Sequence, residues 1–538
     1  VRTFLRSLRA TYLSVDPRSL GVFRIGLGLV LLFDLARRYL EIEYWYTNSG
    51  LLPNHTMLWR PAATHVFSFF FMASSEAEAT VGFALCAAVY GLLIAGYRTR
   101  AMQFLALVCR VSVNSRIAVL ENGGDMVLNL LCVFSLALPL GRRFSLDAWL
   151  TGTPRTAQRM TEPIVSLAML GLILQFAAVY FFNAISKDGA CWLDGSAVYY
   201  ALHLDKHVTT LGLWMREELP LPVLRTLTWA TLITEWTGFG LMITPIFSKQ
   251  ARAVALVLLP LLHSAFALGL NLGGFTPAML AFFPLLLGPS HWAWLERRGL
   301  LRTLAARFEK GLAALLPAAS ERQSPAPRPR WQTRALWVTS ELAVAGLIAS
   351  IACEALNDNT SVPQWLRVPE PAWAKAVIEY PRLLQGWRMF APNPPQDDTM
   401  LYIDATTSEG LHVDPYNLVA SRQPAPAGSI VPARMTQSQF FNMYTSRIPM
   451  KQYADYRQAF LEWLVAYPTR TGKPADCLTE FTAFYVSDHS PKFGDYASPT
   501  PFERIEFLRY NAPKDGPCQL RKRPPETPRS GVVASLTQ

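Results

Sequence analysis

Long apolar runs separated by short polar turns dominate the first two thirds of the chain, and the pattern changes in the last third. Runs long enough to cross a bilayer, about 20 residues each, are read at 20–40, 77–96, 101–120, 123–140, 162–186, 222–246, 251–272, 274–289 and 335–355. They predict an all-α polytopic membrane helix bundle of about nine transmembrane helices. Arg110 and Arg116 interrupt the run at 101–120, and 274–289 is short enough to be re-entrant. Between the spans, 41–76 gathers Trp45, Tyr46, Trp59 and the Phe67–Phe71 cluster, an aromatic density that suits an outer interfacial helix. Residues 188–221 mix Trp192, Tyr199, Tyr200 and Trp214 with polar side chains, as an amphipathic lid would. After about residue 356 the periods are those of a small C-terminal α+β domain. Met400–Thr406 and Leu411–Asp414 flank Ser408-Glu-Gly as a hairpin, 438–466 has helical spacing, and 479–487 and 503–510 read as strands.

Composition agrees with a membrane protein: 51% of the 538 residues are hydrophobic and 17% charged. The net charge of +11 reports topology and gives no reason to expect a nucleic-acid partner. With the N-terminus cytoplasmic, about 21 Lys and Arg fall in inner loops against about seven outside, as the positive-inside rule requires. The predicted order is a basic amphipathic segment (1–19), a transmembrane domain (20–300), a basic Pro-rich cytoplasmic linker (301–334), a last transmembrane helix (335–355), an extracytoplasmic α+β domain (356–510) and a disordered tail (511–538). The first apolar run reads as a span and not as a cleavable signal peptide, being long, preceded by arginines and followed by no small-residue cleavage site. Of seven cysteines, Cys477 and Cys518 alone lie in the polar tail, where an oxidising compartment would permit their pairing.

Chemistry is concentrated where the run ending at Phe182 gives way to Asn183-Ala-Ile-Ser-Lys187-Asp-Gly-Ala-Cys-Trp192. A lysine at a hydrocarbon boundary either snorkels to water or, if desolvated, becomes a base near neutral pH. Arg24, Asp34, Arg110, Arg116, Asp125, Glu235, His263 and Glu341 all fall within predicted spans, which implies a polar interior. Structural ion pairs such as Arg24 with Asp34 or with Glu235 would account for part of this set. Two backbone breaks, Glu121-Asn-Gly-Gly-Asp125 and Asn271-Leu-Gly-Gly-Phe-Thr-Pro277, fall on the same predicted outer side as Lys187 and His263. Irregular backbone at membrane depth needs protein or a cavity to satisfy it, so these elements are expected to ring one outward pocket beneath the lid. His203 and His207 have the i, i+4 spacing of a metal pair, but an interfacial polar face is the preferred reading and no metal is expected. Walker, GxGxxG, CxxC, HExxH and GxSxG signatures are missing.

Asp16-Pro-Arg-Ser-Leu-Gly-Val-Phe-Arg24-Ile-Gly, with Asp34 following, resembles the opening of the HTTM (horizontally transferred transmembrane) domain, the membrane core of vitamin K-dependent γ-glutamyl carboxylases. Tyr180-Phe-Phe-Asn-Ala-Ile-Ser-Lys187 through Trp192-Leu-Asp-Gly is similar to that family's lysine segment, and His263 before Gly273/Gly274 to its late histidine span. The resemblance covers roughly residues 14–300 and is nearest to bacterial proteins of this shape, which share a W-x-M-F-A-P-like element, here Trp387–Pro392. It implies Lys187 as the base and His263 as its proton or hydrogen-bond partner. Asp125, Trp192, Gly273 and Gly274 become cofactor-site candidates, and an isoprenoid quinol of the vitamin K or menaquinol type becomes the cofactor. Dioxygen and carbon dioxide would be co-substrates, an exported polypeptide the modified partner, and the lipid bilayer the environment. Two departures from the animal enzymes stand out: Gly124-Asp125 replaces a histidine at the start of the fourth predicted span, and a short α+β domain replaces the large lumenal region. The alternative expectation is a non-enzymatic membrane chaperone or maturation factor for a secreted partner. A transporter is disfavoured because no inverted repeat is read.

Overall fold

A computed structural model describes residues 6, 8–59, 65–150, 162–299, 329–421, 438–495 and 502–513. Helices occur at all nine predicted spans: α1 Pro17–Tyr39, α2 Glu76–Ala95, α3 Thr99–Arg116, α4 Gly123–Ser135, α5 Leu167–Ile185, α6 Leu221–Ile243, α7 Ser248–Gly269, α8 Phe275–Phe282 and α9 Arg330–Asp358. Five of them (α1, α2, α5, α7 and α9) are long and apolar enough to cross a membrane, consistent with an integral membrane protein. A sixth span is formed only if the pair Phe275–Leu286 and Pro289–Arg297, bent by 92°, counts as one. Nine spans are therefore not confirmed: among the described residues five helices, or six with the bent pair, have the length and apolarity of a span. The physical reason is visible in α3 and α4: α3 carries charge and turns it inward, and α4 has 13 residues, too few at 1.5 Å per residue for a 30 Å core.

Local sequence explains where the helices start. Asp16 accepts a hydrogen bond from Arg18 N at 2.9 Å ahead of Pro17, the first residue of α1. Ser75 with Glu78 caps α2, and Asn122 with Asp125 caps α4, each as a reciprocal box. The aromatic 41–76 stretch is not one interfacial helix. It folds as the short helices Ile42–Tyr46 and Asn54–Leu58 and a 3₁₀ turn Phe69–Met72, with Trp45, Tyr46 and Phe70 buried. The lid likewise consists of three short helices, Ala190–Leu193, Ala197–Leu202 and Thr210–Glu218. Its second helix ends at Leu202, so His203 and His207 share no helical face.

In the C-terminal region five antiparallel strands form one sheet, β1 Asp397–Thr407, β2 His412–Asp414, β3 Val419–Ser421, β4 Leu478–His489 and β5 Phe502–Asn511, in the order β3-β2-β1-β4-β5. The predicted hairpin and both later strands are present. The helix expected over 438–466 is two helices, α10 Gln439–Arg447 and α11 Arg457–Val465, because Pro449 removes a backbone donor and a 3₁₀ turn follows. Phe440, Phe441 and Tyr444 of α10 and Phe460 and Leu464 of α11 pack with Leu401, Ile403 and Phe481 in a core continuous with that of the bundle. Ring contacts from Trp45 to Phe441 and Tyr444, at 5.0 and 5.4 Å, join the two regions directly.

Lys206 of the lid reaches the sheet, its Nζ 3.7 Å from Asp398 Oδ1. Burial pushes the Asp398 carboxyl up to about 6, only partly opposed by Lys206. A carboxyl whose folded value is raised stabilises the fold below its unfolded value near 4, and that contribution is lost as pH rises toward 6. Thermal stability is therefore expected to decline between about pH 4 and pH 6 in proportion to this group, and Asp398→Asn should flatten that part of a Tm-against-pH curve. An unchanged slope in the variant would show that other groups set it. Cys477 is disulfide-bonded, and its expected partner, Cys518, lies outside the described residues.

Candidate functional site

The lysine segment is built by the end of α5. Ser186 closes the helix, the Lys187 amide bonds back to Ala184 O at 3.2 Å, and the chain turns at Asp188-Gly189. Lys187 does not snorkel. It is 5% exposed, and its Nζ lies 2.5 and 2.6 Å from the two carboxylate oxygens of Glu235 on α6. Asn183, one helical turn before Lys187, donates to Glu235 Oε1 at 2.8 Å. The indole of Trp192 lies against the ammonium, 4.3 Å from Nζ to the ring centroid, a cation–π contact made dry by burial. Burial pulls the Lys187 ammonium below its ordinary value, and the Glu235 carboxylate opposes that pull.

The Trp387–Pro392 element packs on this segment. Its backbone and the residues after it lie across the lysine segment: Met389 N donates to Asn183 Oδ1 at 3.0 Å, Trp192 Nε1 donates to Phe390 O at 2.9 Å, and Gly189 N donates to Pro392 O at 3.2 Å. Asn393 Oδ1 accepts from Cys191 N at 2.9 Å. A β-carbon at Gly189 would fall 2.2 Å from that same oxygen, so only glycine permits the approach. Lys187 is thus enclosed by α5, α6, the lid and this strap.

His263 lies on α7, 2% exposed, with Nε2 2.8 Å from Tyr180 Oη of α5. Its Nδ1 is buried without a partner, and its ring is edge-on to Phe275 at 5.7 Å. Tyr180 and Asn183 are three residues apart on α5, so one helix presents a side chain to His263 and another to the Lys187–Glu235 pair. Gly238 lets α6 approach there: a β-carbon would lie 3.5 Å from the Tyr180 ring and 2.8 Å from Leu259.

Asp125 belongs to a different group. It and Asp34 alternate with Arg38 and Arg110 in a closed ring of buried ion pairs. Arg38 reaches Asp34 at 2.8 Å, Arg110 reaches both aspartates at 2.5 Å, and Arg38 also bonds Asp125. The second Asp125 oxygen accepts from Asn122 N and Nδ2, at 3.0 and 2.8 Å. Neither expected pairing of Arg24 forms. Its guanidinium instead donates to the carbonyls of Leu140 and Ile94, each at 3.2 Å, and of Phe144. The two Gly-Gly breaks do come together, since a β-carbon on Gly124 would lie 2.6 Å from Phe275 N and 2.8 Å from Gly274 C. Gly273 has φ +59° and abuts Gln439 of α10, which makes it a docking point for the C-terminal domain. It also lines a groove of about 470 Å³ between lid residues Val208–Thr210 and Leu270, Leu272 and Thr276. Lys187 and His263 are not on the wall of that groove, although Thr276 bonds the His263 carbonyl at 3.4 Å.

Glu235, Asn183, Tyr180 and the 389–393 strap complete the site around the residues to which the sequence assigned roles in it. Glu235 carried a usable signal as the lone acid within its span, and Asn183 as the residue four before Lys187. The strap was legible only as the W-x-M-F-A-P-like element Trp387–Pro392, and nothing in its spacing placed it over the lysine.

Comparison with known proteins adds one finding. No curated protein and no solved structure matches the chain. The HTTM domain family model matches residues 12–292, more than half of the sequence, and that stretch includes Lys187, Glu235 and His263. The chain belongs to the HTTM-domain family.

Proposed function

We propose that this carboxylase-like HTTM protein binds an isoprenoid quinol at the Lys187 site and oxygenates it. The observation carrying this reading is the desolvated Lys187–Glu235 pair under Trp192 and the 389–393 strap. When bound, a quinol supplies two electrons and an oxygen-reactive ring, so that quinol and dioxygen become quinone epoxide and water. The chain supplies proton handling and dryness. Transfer of the Lys187 proton to the Glu235 carboxylate, which Asn183 holds in place, leaves Nζ a neutral amine able to take the proton of a quinol hydroxyl, and Glu235 keeps the proton it received. The unpartnered Nδ1 of His263 is available to the second hydroxyl, and Tyr180 orients that ring. Trp192 offers an aromatic face to the head group.

The reading further places the N-terminus in the cytoplasm and the C-terminal domain outside. Support comes from the basic inner loops and from the disulfide at Cys477. An exported polypeptide then meets the site from the side of that domain, with carbon dioxide as a further reactant where carboxylation accompanies oxygenation. The test is conversion of reduced vitamin K or menaquinol to its epoxide by the purified full chain in detergent, under oxygen. Turnover with at least one of them is expected. Absence of epoxide with every quinol tried would end the proposal.

A further inference from the structure

Arg116, the last residue of α3, is 0% exposed, and Nε, Nη1 and Nη2 all lack a hydrogen-bond partner. Among the described residues no other buried arginine leaves all three nitrogens unpaired. Its protein surroundings hold no counter-charge to spare. Asp34 and Asp125 are each shared by Arg38 and Arg110, a ring whose charges cancel. Glu121 is taken by Arg382 at 2.6 and 2.8 Å and by Asn114 Nδ2 at 2.6 Å. Tyr46, which interacts electrostatically with Arg116, already donates its hydroxyl to Val113 O at 3.0 Å and accepts from Arg38 at 3.4 Å. The two preceding side chains repeat the deficit: Ser115 Oγ and Asn114 Oδ1 are buried and unpartnered.

A lone buried guanidinium is among the most costly groups a fold can hold, because desolvation removes its hydration and nothing returns it. Arginine stays protonated at any accessible pH, so it cannot escape by losing its charge. We infer that Arg116 is the anchor of an internal binding site for a small planar oxyanion, a carboxylate or bicarbonate, received by the guanidinium fork. Two parallel N–H···O bonds satisfy donors that no residue here satisfies, and one negative charge balances the guanidinium of Arg116. The site lies apart from the Lys187 pair in its contacts, so the inference does not depend on the quinol reading.

The test uses the full chain in detergent, dialysed into a buffer whose only anion is a bulky sulfonate. Sodium formate, sodium bicarbonate and sodium chloride are then titrated separately while Tm is followed. Formate, bicarbonate or both should raise Tm saturably by a few degrees, chloride should do so less, and Arg116→Gln should lose the response. No saturable rise, an equal rise with chloride, or a rise that survives in Arg116→Gln would each overturn the inference. Should Arg116→Gln fail to fold, cryo-EM of the formate-equilibrated wild-type chain decides. Density bridging the guanidinium is expected, and an empty guanidinium refutes the site.

Discussion

Lys187→Ala is expected to lower quinol epoxidation by roughly 100-fold or more, the loss that follows removal of a general base. The same change leaves Glu235, itself 2% exposed, without its cation, so stability falls as well. A double variant separates the two effects. Lys187→Met with Glu235→Gln removes the charges as a pair, keeps most of the volume and preserves the Asn183 bond through the carbonyl of the introduced amide. Its Tm should recover toward wild type while epoxidation stays at the level of Lys187→Ala. If activity recovered together with Tm, Lys187 would be structural and the base would have to be sought elsewhere.

The largest effect on stability is expected in the Asp34–Arg38–Arg110–Asp125 ring. It ties α1, α3 and α4 together, with Arg110 Nε also held by Asn129 Oδ1 at 2.9 Å. Arg110→Met leaves two buried aspartates to share one arginine and should cost about 3–5 kcal/mol, the range for removing one partner of a buried ion pair. Arg110→Met with Asp34→Leu leaves the neutral Arg38–Asp125 pair. That double variant should be more stable than Arg110→Met alone, because the interaction energy of contacting charges makes such substitutions non-additive. Denaturant unfolding of both variants in one detergent measures the difference, and simple additivity would mean that the ring is not a coupled unit.

Periodicity was enough to locate every long helix and the three principal strands, because both report burial of one face and burial is local in sequence. It did not distinguish membrane spans from buried helices at α3 and α4, neither of which is among the helices long and apolar enough to cross a membrane. Apolarity there comes from packing inside the bundle, where a buried arginine with two aspartate partners is accommodated as an isolated one in lipid is not. The lysine was legible as a charge at the end of an apolar run, and its burial follows from partners that are distant in sequence. Glu235 lies on the next long helix, and the strap enters from residues 389–393. Ion-pair identity was illegible for the same reason. Arg24 and Asp34 are ten positions apart on one helix and cannot meet across its length, whereas Asp34 and Arg38 are one turn apart and do. The contact between the two Gly-Gly breaks is a case where composition pointed correctly, since only small residues allow backbone to touch backbone.

The central claim is that the enclosed lysine is the base of a quinol site. Cryo-EM of the purified full chain in lipid nanodiscs loaded with a reduced menaquinol-type quinol tests it most directly. Planar density against Trp192, with one ring oxygen within hydrogen-bond reach of Lys187 Nζ and the Glu235 contact lengthened to admit it, is the predicted result. An unaltered Lys187–Glu235 pair with the quinol bound elsewhere, or with none bound, would contradict it.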